Sequence, residues 1–245
     1  EKTPDGEYKL AQLVRANMAL YDYTTAYGVP CISGKDSMKN DYQIGGVKIS
    51  IPPTVLFSTI GRIRDVRKAV TMDVKKAGDL VYVLGLTLPE LGGSEWYAFH
   101  GYTGSRVPRV NPDRAKALYE ALSRAIDLGL VASCHDCSDG GLGVALAESA
   151  FAGELGMTID LSLVPAEEVD RNDALLFSES PSRFVATISP DRQRPFEALF
   201  AGLPMRLVGE VTLERELRII GNEGKLICLE GLDDLREAWQ RPLGI

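Results

Sequence analysis

Residues 131–143 read Val131-Ala132-Ser133-Cys134-His135-Asp136-Cys137-Ser138-Asp139-Gly140-Gly141-Leu142-Gly143, and the fold turns on them. Val131–Cys134 has the short apolar character of a strand, and Gly140–Gly153 is apolar enough to be a buried helix. The polar residues between them therefore sit at a strand-to-helix junction. Free N–H groups at a helix N-terminus favour an anion there. Asp136 and Asp139 would repel a phosphate in that position unless a cation bridged the two, so the junction points to magnesium together with a nucleotide. Cys134-x-x-Cys137 also has the spacing of a redox pair or half a zinc site. No second cysteine pair accompanies it, and the only other histidine is His100, so structural cysteines are the better reading.

Outward from the junction, helices and strands interleave. Helices are expected over Glu7–Tyr27, Pro112–Leu128, Asp191–Phe200 and Leu232–Trp239. Asn111 is placed to cap the second of these, with Pro112 in its first turn and Gly129 beyond its end. Strands are expected over Val47–Ile63 (broken at Pro52-Pro53), Leu80–Gly85, Met157–Leu163, Arg183–Ser189, Leu207–Val211, Leu217–Ile220 and Lys225–Leu229. A polar loop is expected up to Gly46. This alternation predicts an α/β or α+β architecture. The expected boundaries are a partial first domain over 1–66, a complete second domain over 67–222, and a strand-and-helix tail over 223–245. One helix, one loop and about two strands cannot close a core by themselves, so the first segment needs partners.

The chain has 245 residues, 45% hydrophobic and 25% charged, which is ordinary for a globular protein and excludes a disordered or collagen-like chain. A net charge of −7 argues against a nucleic-acid-binding domain. No apolar run approaches the roughly 18 residues that span a bilayer, and the N-terminal residues lack the pattern of a signal peptide, so no membrane partner is expected. Four cysteines in a chain of this length make no disulfide framework, and reduced thiols in the cytoplasm are expected.

Two further segments could carry chemistry. In Ser33-Gly34-Lys35-Asp36-Ser37-Met38, glycine allows close backbone approach to a phosphate, lysine neutralises it, aspartate can hold magnesium and serine can donate. It lacks the spacing of a Walker A loop, and from the residues alone an ordinary polar turn is the favoured reading. Leu176-Phe177-Ser178-Glu179-Ser180-Pro181-Ser182-Arg183 could bind a polar ligand or form a capped turn with a surface ion pair. Glu148 could face the same cleft or solvent. A Ser–His–Asp hydrolase is a poor fit, since no G-x-S-x-G elbow is present and neither histidine has an evident nucleophile paired with it.

In this order, Gly34-Lys35-Asp36-Ser37-Met38, Gly61-Arg62-Ile63, Gly78-Asp79, Leu91-Gly92-Gly93-Ser94, His135-Asp136-x-Ser138-Asp139-Gly140-Gly141 and Phe177-Ser178-Glu179-Ser180 resemble the second synthetase half of the phosphoribosylformylglycinamidine synthase family, within the aminoimidazole-ribonucleotide-synthetase superfamily. The resemblance implies a truncated, barrel-forming N-terminal-type domain followed by a complete C-terminal-type α/β domain. It also implies an ATP-dependent C–N ligase of de novo purine biosynthesis. Such an enzyme converts formylglycinamide ribonucleotide and glutamine-derived ammonia to the amidine, releasing ADP and phosphate, with Mg2+ as cofactor.

By the same resemblance Gly34, Lys35, Ser138, Gly140 and Gly141 would contact nucleotide, Asp36 and Asp136 would hold the metal, and Ser37, Glu179 and Ser180 would touch substrate. Lys35-Asp36 stands where small-type members have Asn-Val. The family's catalytic histidine belongs to the first half, so neither His100 nor His135 is assigned that role and the isolated chain is expected to be inactive. Expected partners are a glutaminase domain or subunit, the first synthetase half, and a second copy of the chain paired through 47–63. The alternatives are a selenide-water-dikinase-like, thiamine-phosphate-kinase-like or hydrogenase-maturation enzyme of the same superfamily, or a non-catalytic nucleotide-binding scaffold.

Overall fold

The structure is a computed structural model, and it describes residues 6–35, 37, 41–50 and 54–243. The chain divides into two compact units, Glu1–Arg64 and Asp65–Ile245.

In the first unit, α1 spans Gly6–Tyr27 and buries none of its residues. Gly28 ends it with φ +68°, and the Gly28 and Val29 N–H groups donate to the carbonyls of Thr25 and Thr24. Only glycine reaches that left-handed conformation without strain. The stretch read as a loop up to Gly46 contains β1 (Asp41–Ile44), which pairs antiparallel with β2 (Val47–Ser50). Gly45 and Gly46 both have positive φ, the requirement of a two-residue hairpin turn whose twist matches its strands. The strand expected over Val47–Ile63 ends at Ser50, and residues 54–63 carry no regular structure. Leu56 is 90% and Ile60 94% exposed, so the described apolar residues of this segment have no core to enter.

The second unit is built on seven strands: β3 (Leu80–Leu84), β4 (Ser133–Asp136), β5 (Gly156–Asp160), β6 (Phe184–Ile188), β7 (Met205–Thr212), β8 (Glu216–Ile220) and β9 (Leu226–Gly231). Their order across the sheet is β4-β6-β3-β7-β5-β8-β9. Every pairing is antiparallel except β5 with β8. β3 lies within the sheet and alternates cleanly. Val81 and Val83 enter one core, while Tyr82 and Leu84 enter the other. A strand with both faces buried shows that helices cover the sheet on both sides.

On one side are α4 (Gly141–Gly153), α5 (Asn172–Phe177) and α7 (Leu232–Gln240), with Leu142, Leu146, Leu175 and Leu232 in the first core. On the other are α3 (Pro112–Asp127) and α6 (Gln193–Leu199), with Leu118, Leu122 and Phe196 in the second. Along α3, Ala115, Leu118, Leu122 and Ala125 are buried at three- and four-residue spacing, and the Asn111 side chain accepts from the Arg114 N–H, as the sequence predicts. A five-residue helix, α2 (Glu95–Phe99), and α5 are too short to show a period in the sequence. No described helix is long and apolar enough to cross a membrane.

Candidate functional site

β4 runs Ser133–Asp136, two residues later than the sequence suggests, so His135 and Asp136 are strand residues. Pairing with β6 sets Asp136 opposite Phe184 and His135 opposite Val185. The chain then turns, with the Cys137 N–H donating to the Arg183 carbonyl at 3.0 Å, and enters α4 at Gly140-Gly141. A cavity of about 380 Å3 lies over this turn, lined by Asp136, Ser138, Asp139, Glu179 and Ser182 among others.

The Ser138 hydroxyl donates to Asp136 Oδ2, and this bond, more than any charge nearby, holds the Asp136 carboxyl below the usual carboxylate range. Asp136 is therefore ionised at neutral pH while its side chain stays 61% exposed. Behind it, His135 Nδ1 is 3.5 Å from Asp136 Oδ1 and His135 Nε2 is 2.8 Å from Glu148 Oε2. Trp239 of α7 donates to the other Glu148 oxygen at 2.9 Å. Glu148 thus braces His135 and anchors Trp239.

Gly140 caps α4 with φ +77° and offers it no side-chain bond. Glu179 supplies the missing acceptor: its Oε1 takes the Gly140 N–H and the Glu95 N–H, each at 2.9 Å. The protein's own carboxylate therefore occupies the position where an anion is expected. Gly141, read as a phosphate contact, also has an internal cause. A Cβ there would lie 2.4 Å from the Ser178 carbonyl oxygen and 2.8 Å from that of Leu176. The glycine pair lets α4 approach the end of α5.

Ser178-Glu179-Ser180 and Arg183 are mostly internal, unlike the surface turn read as one alternative. Ser180, expected to touch substrate, is 1% exposed, and its hydroxyl accepts the Leu88 N–H at 3.0 Å. The Ser178 hydroxyl donates to the Leu88 carbonyl at 2.5 Å and accepts the Glu90 N–H. Arg183, also 1% exposed, donates to the Ser180 carbonyl at 2.9 Å, to the Thr87 hydroxyl at 2.9 Å and to the Ser178 carbonyl. Burial lowers its pKa, opposed by the nearby Cys137, Glu90 and Glu179. Burial pushes the Cys134 thiol up to about 12 and the Cys137 thiol up to about 11, the wrong direction for reactive thiolates.

In the first unit, Gly34, Lys35 and Ser37 are exposed, and Lys35 Nζ donates to the Ser37 hydroxyl at 2.9 Å. Asp36 lies outside the described residues. The structure thus brings Asp136, Ser138, Gly140, Gly141 and Glu179 together in one unit, while Gly34, Lys35 and Ser37 belong to the other. Sequence reasoning missed Glu95 and Glu90. The Pro89-Glu90 pair directly ahead of Leu91-Gly92-Gly93-Ser94 was the available signal.

A mostly antiparallel sheet sandwiched between helices, with an Asp-x-Ser-Asp-Gly-Gly junction leaving its edge strand, defines a layered α+β domain. The chain belongs to the family described as AIR synthase related protein, C-terminal domain, whose model matches residues 76–222. Over 99% of its length it is 35% identical to the phosphoribosylformylglycinamidine synthase subunit PurL of Alkaliphilus metalliredigens, covering 31% of that protein. Over 98% it is 33% identical to the same subunit of Thermoplasma acidophilum, covering 30% of it. The chain therefore spans about a third of the length of these curated relatives. Thermotoga maritima PurL complexed with FGAR has a similar fold, with a TM-score of 0.61 at 24% identity over 69% of this chain and 30% of that one. The HypE–HypF complex contains a chain matching at a TM-score of 0.51 and 17% identity, over 66% of this chain and 55% of that one.

Proposed function

We propose that this chain is the second synthetase half of an ATP-dependent amidine synthase acting on formylglycinamide ribonucleotide. The observation that carries this reading is the 35% identity, running over 99% of the chain, to a synthase subunit of that name. The glutaminase, the first synthetase half and the surface that covers the exposed apolar residues of 47–63 belong to the same reading, as partners.

Within it, the β4–α4 junction binds a nucleotide with magnesium. Among the described residues no group of three acidic, histidine or cysteine side chains could hold a metal by itself. Magnesium commonly takes one or two carboxylates and completes its shell with phosphate oxygens and water. Asp136, ionised and exposed, is the carboxylate available for it, and when bound the ion would neutralise phosphate charge. The Ser138 hydroxyl and the His135–Glu148 pair fix the direction of Asp136. Glu179, already seated on the Gly140 N–H, orders the junction, and Ser180 fixes the loop that carries Glu179. Gly34, Lys35 and Ser37 serve the reacting nucleotide and substrate, with Asp36 beside the metal.

Asp136→Asn is expected to weaken Mg·ADP binding at least about tenfold, roughly 1.4 kcal/mol, while Lys35→Ala does less. Titration calorimetry with and without magnesium checks this. A parent chain that binds Mg·ADP no more tightly than its Asp136→Asn variant would sink the metal role. The isolated chain is also expected to turn over no formylglycinamide ribonucleotide with ATP and ammonia, because the family places its catalytic histidine in the other half. ADP release above that of a heat-killed control would overturn this.

A further inference from the structure

Helix α7 lies outside residues 76–222, the part matched by the C-terminal-domain family, so its role has to be read from its contacts. It is docked mainly through its first turns. Leu232 is buried, Arg236 donates to the Phe151 carbonyl at 2.8 Å and pairs with Glu154, and Asp233 meets Arg215 at 2.7 Å. Trp239 follows one turn later. It is 48% exposed, with its ring centroid 5.8 Å from that of Phe151, and its Nε1–H donates to Glu148 Oε1 at 2.9 Å. The helix is held without that bond, so the use of the bond is to be sought at Glu148.

Glu148 stands on α4 with a nitrogen against each oxygen, Trp239 Nε1 on Oε1 and His135 Nε2 on Oε2 at 2.8 Å. A carboxylate only accepts, so both nitrogens facing it carry protons. With both oxygens engaged, the Glu148 side chain is held in one orientation. Without the indole N–H one oxygen is open, and the carboxylate can turn to satisfy it in water. The His135 ring, held at Nε2, sets its other edge against Asp136, with Nδ1 3.5 Å from Oδ1. Ser138 holds the other Asp136 oxygen. Contacts therefore run without a gap from Trp239 through Glu148 and His135 to the carboxylate at the junction. Such outer partners fix the orientation of a group that meets a metal, and losing one costs metal affinity.

We propose that Trp239 is a positioning residue for the β4–α4 nucleotide site: by fixing Glu148 it fixes His135 and, through it, the carboxylate of Asp136. The inference rests on the reading of Asp136 as the carboxylate that meets magnesium. It gives the C-terminal helix a part in nucleotide binding, although α7 itself does not line the cavity over the junction.

The test is titration calorimetry of ADP, with and without magnesium, on the whole chain as parent, Trp239→Phe, Asp136→Asn and the double variant. Trp239→Phe keeps a ring beside Phe151 and removes the N–H. It is expected to weaken Mg·ADP about fivefold, less than Asp136→Asn does, and to leave ADP without magnesium unchanged. In the Asp136→Asn background the same change should do nothing further, because Trp239 acts only through that carboxylate. A tryptophan that merely supports the fold would weaken ADP with and without magnesium in both backgrounds, and that result overturns the proposal. So does Trp239→Phe binding Mg·ADP as the parent does. Glu148→Gln sets an amide N–H against one of the two donors, so it should give the same magnesium-dependent loss. Unchanged affinity there overturns the proposal even if Trp239→Phe fails to fold. A parent whose ADP affinity ignores magnesium, or ignores Asp136→Asn, overturns the metal reading and this inference together. A parent that needs both but not Trp239 overturns this inference alone.

Discussion

Gly141→Ala is expected to destabilise the second unit by about 3–5 kcal/mol, the sum of a left-handed backbone penalty of about 1–2 kcal/mol and a steric overlap costing more. Gly141 has φ +64°, and its Cβ would lie 2.4 Å from the Ser178 carbonyl oxygen. Both atoms in that overlap are fixed by secondary structure: Gly141 opens α4 and Ser178 closes α5. Relief would require α4 to withdraw from α5, taking with it the Gly140 N–H that Glu179 holds. Gly202→Ala is the control. It has φ +81° but nothing within 4 Å of its Cβ, so it should cost only the backbone penalty, about 1–2 kcal/mol. Urea unfolding of both variants measures the difference. Equal losses would show that the close approach of the two helices is not tight.

Arg183→Met should lower stability by a similar amount, about 3–5 kcal/mol, for an electrostatic reason. Methionine matches much of the length of the arginine stem but has no donor to offer. The carbonyls of Ser178 and Ser180 and the hydroxyl of Thr87 would each lose a bond inside the core. Removing the charge also removes the desolvation that lowers the Arg183 pKa, which offsets part of the loss. The carbonyls decide the sign, because they stay buried whatever stands at 183. Arg183→Lys should recover little, since one ammonium cannot match the fork of a guanidinium. Denaturant melts would settle this, and a methionine variant as stable as the parent would mean that the three acceptors find other donors.

The parts of the fold legible in the sequence are those with local causes. Asn111-Pro112 at the start of α3 and the apolar run of β3 act over a few residues, and the structure matches them. The β1–β2 hairpin also has a local cause, the two-residue Gly45-Gly46 turn, but in the sequence that glycine pair closes a polar stretch with the character of a loop. The Ser178–Arg183 segment was not legible. Its hydroxyls and guanidinium meet the backbone and hydroxyl of Thr87–Glu90, a partner remote in sequence, so a polar composition that suggests a surface is in fact a buried strut. At the junction, sequence chemistry located Asp136 and Ser138. It could not show that Glu179 takes the helix N–H groups, since that depends on α2, α4 and α5 converging. Trp96 stacking on Phe177 at 4.2 Å and 8° is part of the same convergence.

The order of strands across the sheet also governs how the second unit can assemble in time. β3 is the first of its strands to be synthesised, yet its two sheet neighbours are β6 and β7, with Leu80 opposite Ile188 on one side and Glu210 on the other. Chain entropy must be given up across that whole separation before the first rung of either ladder forms, which makes such topologies slow to fold. A nascent chain leaving the ribosome therefore carries Val81, Tyr82, Val83 and Leu84 unpaired on both edges until β6 has emerged through Ile188, and on one edge until β7 has emerged through Thr212. Through that interval four residues that end fully buried are open to aggregation and to capture by chaperones.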